Sequence, residues 1–217
     1  MKYGESLFDI LYLLFAIVSG CILLVRARNK NEKKMGIAVL ILGIGDAFHL
    51  IPRVLNYFIT DVDFTPFLGI GKLITSITMT IFYVLLYQIW IGYWHEETDI
   101  RFTKAVWTLT AARILICLLP QNQWLSNESS VVWGIVRNIP FAFLGLLTII
   151  LYQKKSGEKT RLQRMWLLIT MSFLFYLPVA VAAGILPALG MLMLPKTICY
   201  ILMVWLFLQA VLKDAPR

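Results

Sequence analysis

Three residues of types that can transfer protons or bind anions share one predicted helix face. Asp46, His49 and Arg53 are spaced i, i+3 and i+7 in an apolar segment, so a helix places them on the same side. A carboxylate and an imidazole can exchange protons, and a guanidinium binds phosphate or carboxylate at two points. The spacing therefore predicts an acid–base pair, Asp46 and His49, or an anion site that includes Arg53.

Five cations lie inside predicted membrane segments. Each costs roughly 2.5–3.5 kcal/mol at the centre of a bilayer, so such residues commonly mark functional sites. At about 1.5 Å of rise per residue, all five lie about 8 to 12 Å from the predicted outer ends of their spans. The five are Arg53, Lys72, Arg113, Arg137 and Lys196. With Asp46 as the single deep carboxylate, we expect an excess of about four positive charges and a water-filled cavity that attracts anions.

Hydroxyl and amide side chains on the same helices extend the candidate ligand site. A polar stripe at i, i+4, i+8, i+11 and i+15 of the third span is predicted to face the bundle interior. Its members are Lys72, Ser76, Thr80, Tyr83 and Tyr87. Lys196 and Tyr200 are four residues apart, and Asn138 follows Arg137. The candidate ligand-binding residues are Arg53, Lys72, Tyr83, Arg113, Arg137, Asn138, Lys196 and Tyr200. We also expect Asp46 and Lys196 to be in direct or water-bridged contact, since both are deep and opposite in sign.

Membrane-spanning helices are the elements that must position these groups. Of 217 residues, 59% are apolar and 15% charged, and the mean hydropathy is +0.77, whereas soluble domains are about 25% charged. At about 20 residues per crossing, the chain has room for seven helices joined by short loops. We predict one all-α domain, residues 1–217, that forms an integral membrane bundle. Its predicted spans are about 7–25, 36–58, 67–94, 102–119, 131–153, 165–186 and 188–212.

The distribution of basic residues predicts the orientation. Fourteen of them follow the first, third, fifth and seventh spans, while the opposite loops and the N-terminus carry only Lys2. Because basic loops stay in the cytoplasm, the N-terminus is expected outside and the C-terminus inside. The same rule accounts for the net charge of +8 without a nucleic-acid partner. We expect an integral protein of a bacterial cytoplasmic membrane.

Two classes of seven-helix protein are disfavoured by composition. A zinc hydrolase needs about three imidazole or carboxylate ligands, but the chain has only two histidines, and His95 is predicted at the inner end of the third span, far from His49. A retinal protein would need Lys196 to form a protonated Schiff base, yet the third span lacks Asp and Glu and four other cations lie in the same layer. We therefore expect no metal and no other cofactor.

One segment resembles a known family. Gly45-Asp46-Ala47-Phe48-His49-Leu50-Ile51-Pro52-Arg53 and the Ser/Thr- and Tyr-rich helix after it, about forty residues of the chain, resemble the Gly-Asp segment and next helix of the lysoplasmalogenase-like membrane proteins. The resemblance implies hydrolysis of the vinyl ether bond of lysoplasmalogens, with Asp46 as the catalytic aspartate. The family's second intramembrane aspartate, in a later Ser-Asp motif, has no counterpart here. The chain also resembles small bacterial polytopic membrane proteins, which implies no activity.

Two functional hypotheses follow from these residues. The first is a receptor-like or transport protein that binds an anionic small molecule or a lipid headgroup in a cationic outer cavity. The alternative is a metal-free lipid hydrolase that uses Asp46 with His49 as its proton partner, while Arg113, Arg137 and Lys196 hold a phosphate. Membrane lipid is an expected partner in both, and the sequence predicts no particular oligomeric state.

Overall fold

Helices make up all the regular structure of the chain that is described. The computed structural model describes residues 2–126, 131–182 and 186–213, and within these ranges there is no β-strand. The seven α-helices are α1 (Lys2–Arg26), α2 (Lys30–Phe58), α3 (Thr65–Trp94), α4 (Ile100–Leu118), α5 (Val131–Lys154), α6 (Met165–Ala182) and α7 (Met193–Lys213). Two 3-10 helices, Pro120–Asn122 and Pro187–Leu192, precede α5 and α7. The predicted all-α bundle is confirmed.

The helices pack as a closed ring. Each helix contacts the next along the chain, α7 returns to contact α1, and α3 also contacts α5 across the ring. The core is built largely on α3, whose Phe82, Tyr83, Leu86 and Ile89 are fully buried. We call the side of the bundle where α1 begins its N-terminal end, and the side where α7 finishes its C-terminal end.

Several helices have the length and composition of membrane spans. Five segments qualify: α1, α2, α3, α5 and Ala188–Lys213, which contains α7. An apolar part of α6, Met165–Val181, is shorter, and α4 carries three cations in 19 residues. Large apolar side chains such as Leu7, Leu11 and Leu14 of α1 are exposed on the outside of the bundle, as expected for a surface in contact with lipid. The chain is a multi-pass membrane protein.

The helix bounds differ from the predicted spans at two places that matter. The first span was expected to begin at residue 7, but α1 begins at Lys2, so Glu5 belongs to the helix and Asp9, expected at the edge of the span, lies two turns inside it. The sixth and seventh spans were expected to meet in a tight turn at residues 184–190. Residues 184 and 185 of this turn lie outside the described ranges, and Pro187–Leu192 is a 3-10 helix that leads into α7.

Candidate functional site

The predicted charged layer exists at the N-terminal end, but it is divided into two clusters. The carboxylate cluster consists of Glu5, Asp9, Tyr12, Asp46, Arg53 and Tyr57 on α1 and α2. The cation cluster consists of Lys72, Arg113, Asn122, Arg137, Asn138 and Tyr176 on α3 to α6 and the 3-10 helix before α5. The two clusters satisfy their charges in different ways.

Arg53 is neutralised inside the carboxylate cluster. Its Nη2 atom lies 2.6 Å from Oδ2 of Asp9, and the Arg53 and Asp9 side chains are 27% and 5% exposed. One helical turn further out, Tyr57 donates a hydrogen bond of 3.1 Å to Glu5. The expectation of a single deep carboxylate is therefore wrong, because α1 adds Glu5 and Asp9 to the layer. The signal was present in the sequence, since Glu5, Asp9 and Tyr12 recur at i, i+4 and i+7.

Asp46 binds a tyrosine instead of a lysine. The hydroxyl of Tyr12 donates a hydrogen bond of 2.6 Å to Asp46 Oδ2, and Tyr12 is 2% exposed. Lys196 lies within electrostatic range of Asp46, but the two form no ion pair within 4.0 Å. The Lys196 ammonium instead lies over the rings of Tyr176 and Tyr200, at 4.5 and 5.4 Å from their centroids. The direct form of the expected contact is therefore absent, and each group has other partners: a tyrosine hydroxyl for Asp46 and two aromatic rings for Lys196.

His49 lies beside α3, near the backbone of Leu68. Its Nδ1 atom is buried without a partner. No hydrogen bond joins His49 to Asp46 among the described residues. The two candidate catalytic residues are one helical turn apart on α2 but do not form a preassembled acid–base pair.

Arg113 is the most deeply buried charge of the cation cluster. The residue is 1% exposed; its Nη1 atom donates to the backbone carbonyl of Arg137 and, over 2.7 Å, to Oδ1 of Asn138. Its guanidinium lies 4.6 Å from the Phe141 ring centroid. Asn138 Oδ1 also accepts a 2.7 Å hydrogen bond from Tyr176. The Nε atom of Arg113 is buried without a partner, so this cation is only partly satisfied.

Arg137 and Lys72 line a small cleft at the N-terminal end. The cleft has a volume of 110 Å³, and Gln123, Ser126 and Trp124 contribute to its wall. Arg137 donates a 3.2 Å hydrogen bond to Asn122 Oδ1 and lies 4.4 Å over the Trp124 ring. Its second terminal nitrogen remains available for an anion, since a guanidinium carries five N–H donors.

The backbone beside the cleft is held close to α3. A Cβ atom at Gly69 would overlap the Trp124 carbonyl, so glycine lets this loop lie against the helix. Asp63 lies just before α3, where its Oδ1 atom accepts a 2.9 Å hydrogen bond from the backbone N–H of Thr65. Hydrogen bonds from the Thr65 hydroxyl and backbone lower the pKa of Asp63. In the described ranges, no carboxylate lies within 4.0 Å of Lys72, Arg113 or Arg137.

No family model, curated protein or solved structure matches this chain. A cluster of cations without carboxylates can bind an oxyanion, whereas the carboxylate cluster has bound its own cation.

The polar stripe of α3 is buried over its last three residues, while Ser76 is half-buried and Lys72 is exposed. Thr80, Tyr83 and Tyr87 are at most 4% exposed, whereas Lys72 reaches the cleft. The Tyr83 hydroxyl lies 3.4 Å from Ser172 Oγ and is also close to Tyr200. Tyr83 and Tyr200, two of the predicted ligand-binding residues, thus lie in the packed interior and not in the wall of the cleft.

Proposed function

We propose that this chain binds an anionic small molecule or a lipid headgroup at the N-terminal end of its bundle, as a receptor-like or transport protein. The observation that supports the proposal is the composition of the cation cluster. Lys72 and Arg113 each lie within electrostatic range of Arg137, and none of the three has a carboxylate within 4.0 Å among the described residues. A buried charge without a counter-ion costs several kcal/mol, and a bound oxyanion would offset that cost.

The cleft has the size and donors for one oxyanion group. Its 110 Å³ is several times the roughly 10–15 Å³ that a single water requires, which suits a phosphate or carboxylate group but not a whole lipid. Arg137 supplies a planar fork and Lys72 a mobile point charge. The Gln123 side chain in the wall offers additional hydrogen-bond donors, whereas the Ser126 hydroxyl already donates to the backbone carbonyl of Gln123. Arg113 lies behind Arg137 and adds positive potential.

The topology follows the basic residues of the sequence. We place the N-terminal end outside a bacterial cytoplasmic membrane, with all seven helices as spans, because the basic loops gather at the C-terminal end. Single cysteines at Ser126 and Lys155, introduced into a cysteine-free variant, test this orientation. An impermeant thiol reagent applied outside intact cells should label position 126 and not position 155. Labelling of position 155 alone would reverse the topology.

The binding proposal is tested with defined anions. The full chain in nanodiscs of phosphatidylcholine should gain thermal stability when phosphatidylglycerol is included or inorganic phosphate is added at fixed ionic strength. Phosphate alone would indicate a soluble anion, and phosphatidylglycerol alone a headgroup. Lys72→Met and Arg137→Gln should lose the gain, while Lys104→Met, an exposed cation at the other end of α4, should keep it. An equal gain in all four proteins would contradict the proposal.

A second candidate function is favoured by Asp46 and its surroundings. Asp46 is bound by Tyr12 within the bundle, and the buried Nδ1 atom of His49 has no partner. These groups could exchange a proton with a lipid substrate, as the resemblance to the lysoplasmalogenase-like proteins implies for Asp46. The test is release of fatty aldehyde from a lysoplasmalogen by the purified protein. Asp46→Asn should abolish it, and aldehyde release that persists in this variant would exclude Asp46 as the catalytic group.

A further inference from the structure

We infer that Asp46 takes up a proton when an anion binds at the N-terminal end, so that the chain couples proton binding to anion binding. This inference rests on the anion-binding function proposed above and adds the proton as a second ligand. Asp46 lies within α2, a helix long and apolar enough to span a membrane. Ionisable residues inside membrane spans commonly form the proton sites of pumps and transporters.

Asp46 has a neutral partner, whereas Asp9 of the same cluster has a cationic one. Asp9 meets the Arg53 guanidinium at 2.6 Å. Asp46 accepts a 2.6 Å hydrogen bond from the Tyr12 hydroxyl, and among the described residues it has no cation within 4.0 Å. An ionised carboxylate without a cation is costly in an apolar setting. A proton on Asp46 removes that charge, and the neutral carboxyl group still accepts from Tyr12.

The charged and titratable groups around Asp46 come from four helices. They are Tyr12 and Asp9 on α1, His49 and Arg53 on α2, Lys72 and Tyr83 on α3, and Lys196 and Tyr200 on α7. Arg53 is already paired with Asp9. Lys196 lies within electrostatic range of Asp46 and has no carboxylate within 4.0 Å among the described residues. The charge of Lys196 is therefore the one that ionised Asp46 offsets.

Tyr176 of α6 connects Lys196 to the cation cluster. The Lys196 ammonium lies 4.5 Å from the centroid of the Tyr176 ring, and the Tyr176 hydroxyl donates a 2.7 Å hydrogen bond to Asn138 Oδ1. The same oxygen accepts a 2.7 Å hydrogen bond from Arg113. A short series of contacts therefore joins the neighbour of Asp46 to the deepest cation of the anion site.

The charge on Asp46 sets how much positive potential remains for an anion. The ionised carboxylate offsets the charge of Lys196, whereas the protonated one does not. Proton uptake therefore strengthens anion binding, and by reciprocity anion binding favours proton uptake by the same factor. In the balanced step, a hydronium ion at the N-terminal end transfers its proton to a carboxylate oxygen of Asp46 and becomes water. Glu5, Asp9 and Tyr12 on one face of α1 provide oxygen atoms between that end and Asp46.

Infrared spectroscopy of the full chain in nanodiscs detects the proton on Asp46. Spectra are compared in phosphatidylcholine alone, with added inorganic phosphate, and with phosphatidylglycerol. The anion that stabilises the chain should produce the C=O band of a protonated carboxyl group, which moves when aspartate is labelled with ¹³C and is absent in Asp46→Asn. An anion that stabilises the chain without producing this band would overturn the inference alone. If neither anion stabilises the chain, the proposed function fails and the inference fails with it.

Affinity for the stabilising anion, phosphate or phosphatidylglycerol, measures the coupling. Asp46→Asn mimics the protonated form and keeps an acceptor for Tyr12, so it should bind the anion about fivefold more tightly than the wild type at pH 8. This ratio of affinities cancels any titration of the anion itself, and it should fall towards one at pH 6. Glu158→Gln, an exposed carboxylate at the C-terminal end, should bind as the wild type does at both pH values. A ratio for Asp46→Asn that does not change with pH, or loss of the pH dependence in His49→Gln, would overturn the inference.

Discussion

The two clusters at the N-terminal end contain similar residues and differ in how charge is compensated. In the carboxylate cluster, Arg53 meets Asp9 at 2.6 Å, and Tyr12 donates to Asp46. In the cation cluster, Arg113 and Arg137 contact carbonyl and amide oxygens and the faces of aromatic rings. Both clusters lie at the same end of one ring of helices.

This difference separates a structural role from a binding role. An ion pair between neighbouring helices fixes their register and has no remaining demand for a counter-ion. Amide oxygens and aromatic rings hold a guanidinium in place without cancelling its charge, so the positive potential stays available to an anion. This contrast supports the proposal that the cation cluster binds a ligand, while the carboxylate cluster joins α1 and α2.

The largest predicted effect comes from breaking the ion pair. Asp9→Asn leaves the Arg53 guanidinium without its counter-ion, and we expect a loss of about 3 kcal/mol in the free energy of unfolding. Equilibrium unfolding in mixed detergent micelles measures this loss. Because Asp9 is nearly fully buried, solvent can replace little of the lost interaction.

The double variant provides the control for this pair. Asp9→Leu combined with Arg53→Met removes both charges, so it should cost less than the sum of the two single changes. Additive losses would show that the two side chains contribute independently. In that case Asp9 and Arg53 would not act as a pair, and the contrast between the two clusters would not hold.

The next effect concerns the cation cluster as a binding site. Arg137→Lys keeps the charge but removes the planar fork that lies over Trp124 and donates to Asn122. We expect binding of inorganic phosphate to weaken about tenfold, since lysine is a point charge and loses two-point recognition. Calorimetry at fixed salt measures the affinity. Arg101→Lys, an exposed residue at the C-terminal end, should leave it unchanged, and equal affinity in both variants would favour non-specific attraction.

A smaller effect on stability is expected at Arg113. Arg113→Met replaces a buried cation that has no carboxylate partner, so the lost hydrogen bonds are offset by the removed cost of desolvation. We expect unfolding free energy to change by less than about 1 kcal/mol, while phosphate binding weakens. The measurement is the free energy of unfolding of Arg113→Met, determined under the same conditions as that of Asp9→Asn. A loss as large as that of Asp9→Asn would place Arg113 among the structural charges.

The fold was largely predictable, and its charge pairing was not. Long apolar runs identified the helices to within a few residues, because a membrane span needs little more than length and hydrophobicity. The start of α1 was missed because Glu5 precedes the apolar run that begins at Leu7, and Asp9 was therefore placed at the edge of the span. The contact of Asp9 with Arg53 depends on how α1 and α2 pack, which no local pattern encodes.

The site was predictable as a layer but not as two clusters. Depth along each helix placed Arg113, Arg137 and Lys196 near the same end, because rise per residue is fixed. The partner of each cation depends on side-chain direction across several helices. Asp46 and Lys196 show this: their depths suggested a pair, but Tyr12, Tyr176 and Tyr200 bind them separately.

The smallest predicted effect is at the C-terminal end, where an ion pair lies outside the packed helices. Lys155 lies 2.7 Å from Glu158 and also pairs with Glu96. The Glu158 hydrogen bond raises the pKa of Lys155, and the same contact lowers the pKa of Glu158. The carboxylate contribution is present above its unfolded pKa of about 4.3 and is lost as pH falls through the folded value. The lysine contribution is present below its unfolded pKa of about 10.4 and is lost as pH rises beyond that value.

Between these two pH limits both contributions to stability are complete, and water screens the charges. Lys155→Met should therefore shift the melting temperature far less than Asp9→Asn at pH 7. Melting curves of both variants from pH 5 to 9 check this, and a Lys155→Met loss equal to that of Asp9→Asn would show that burial does not decide the strength of these pairs.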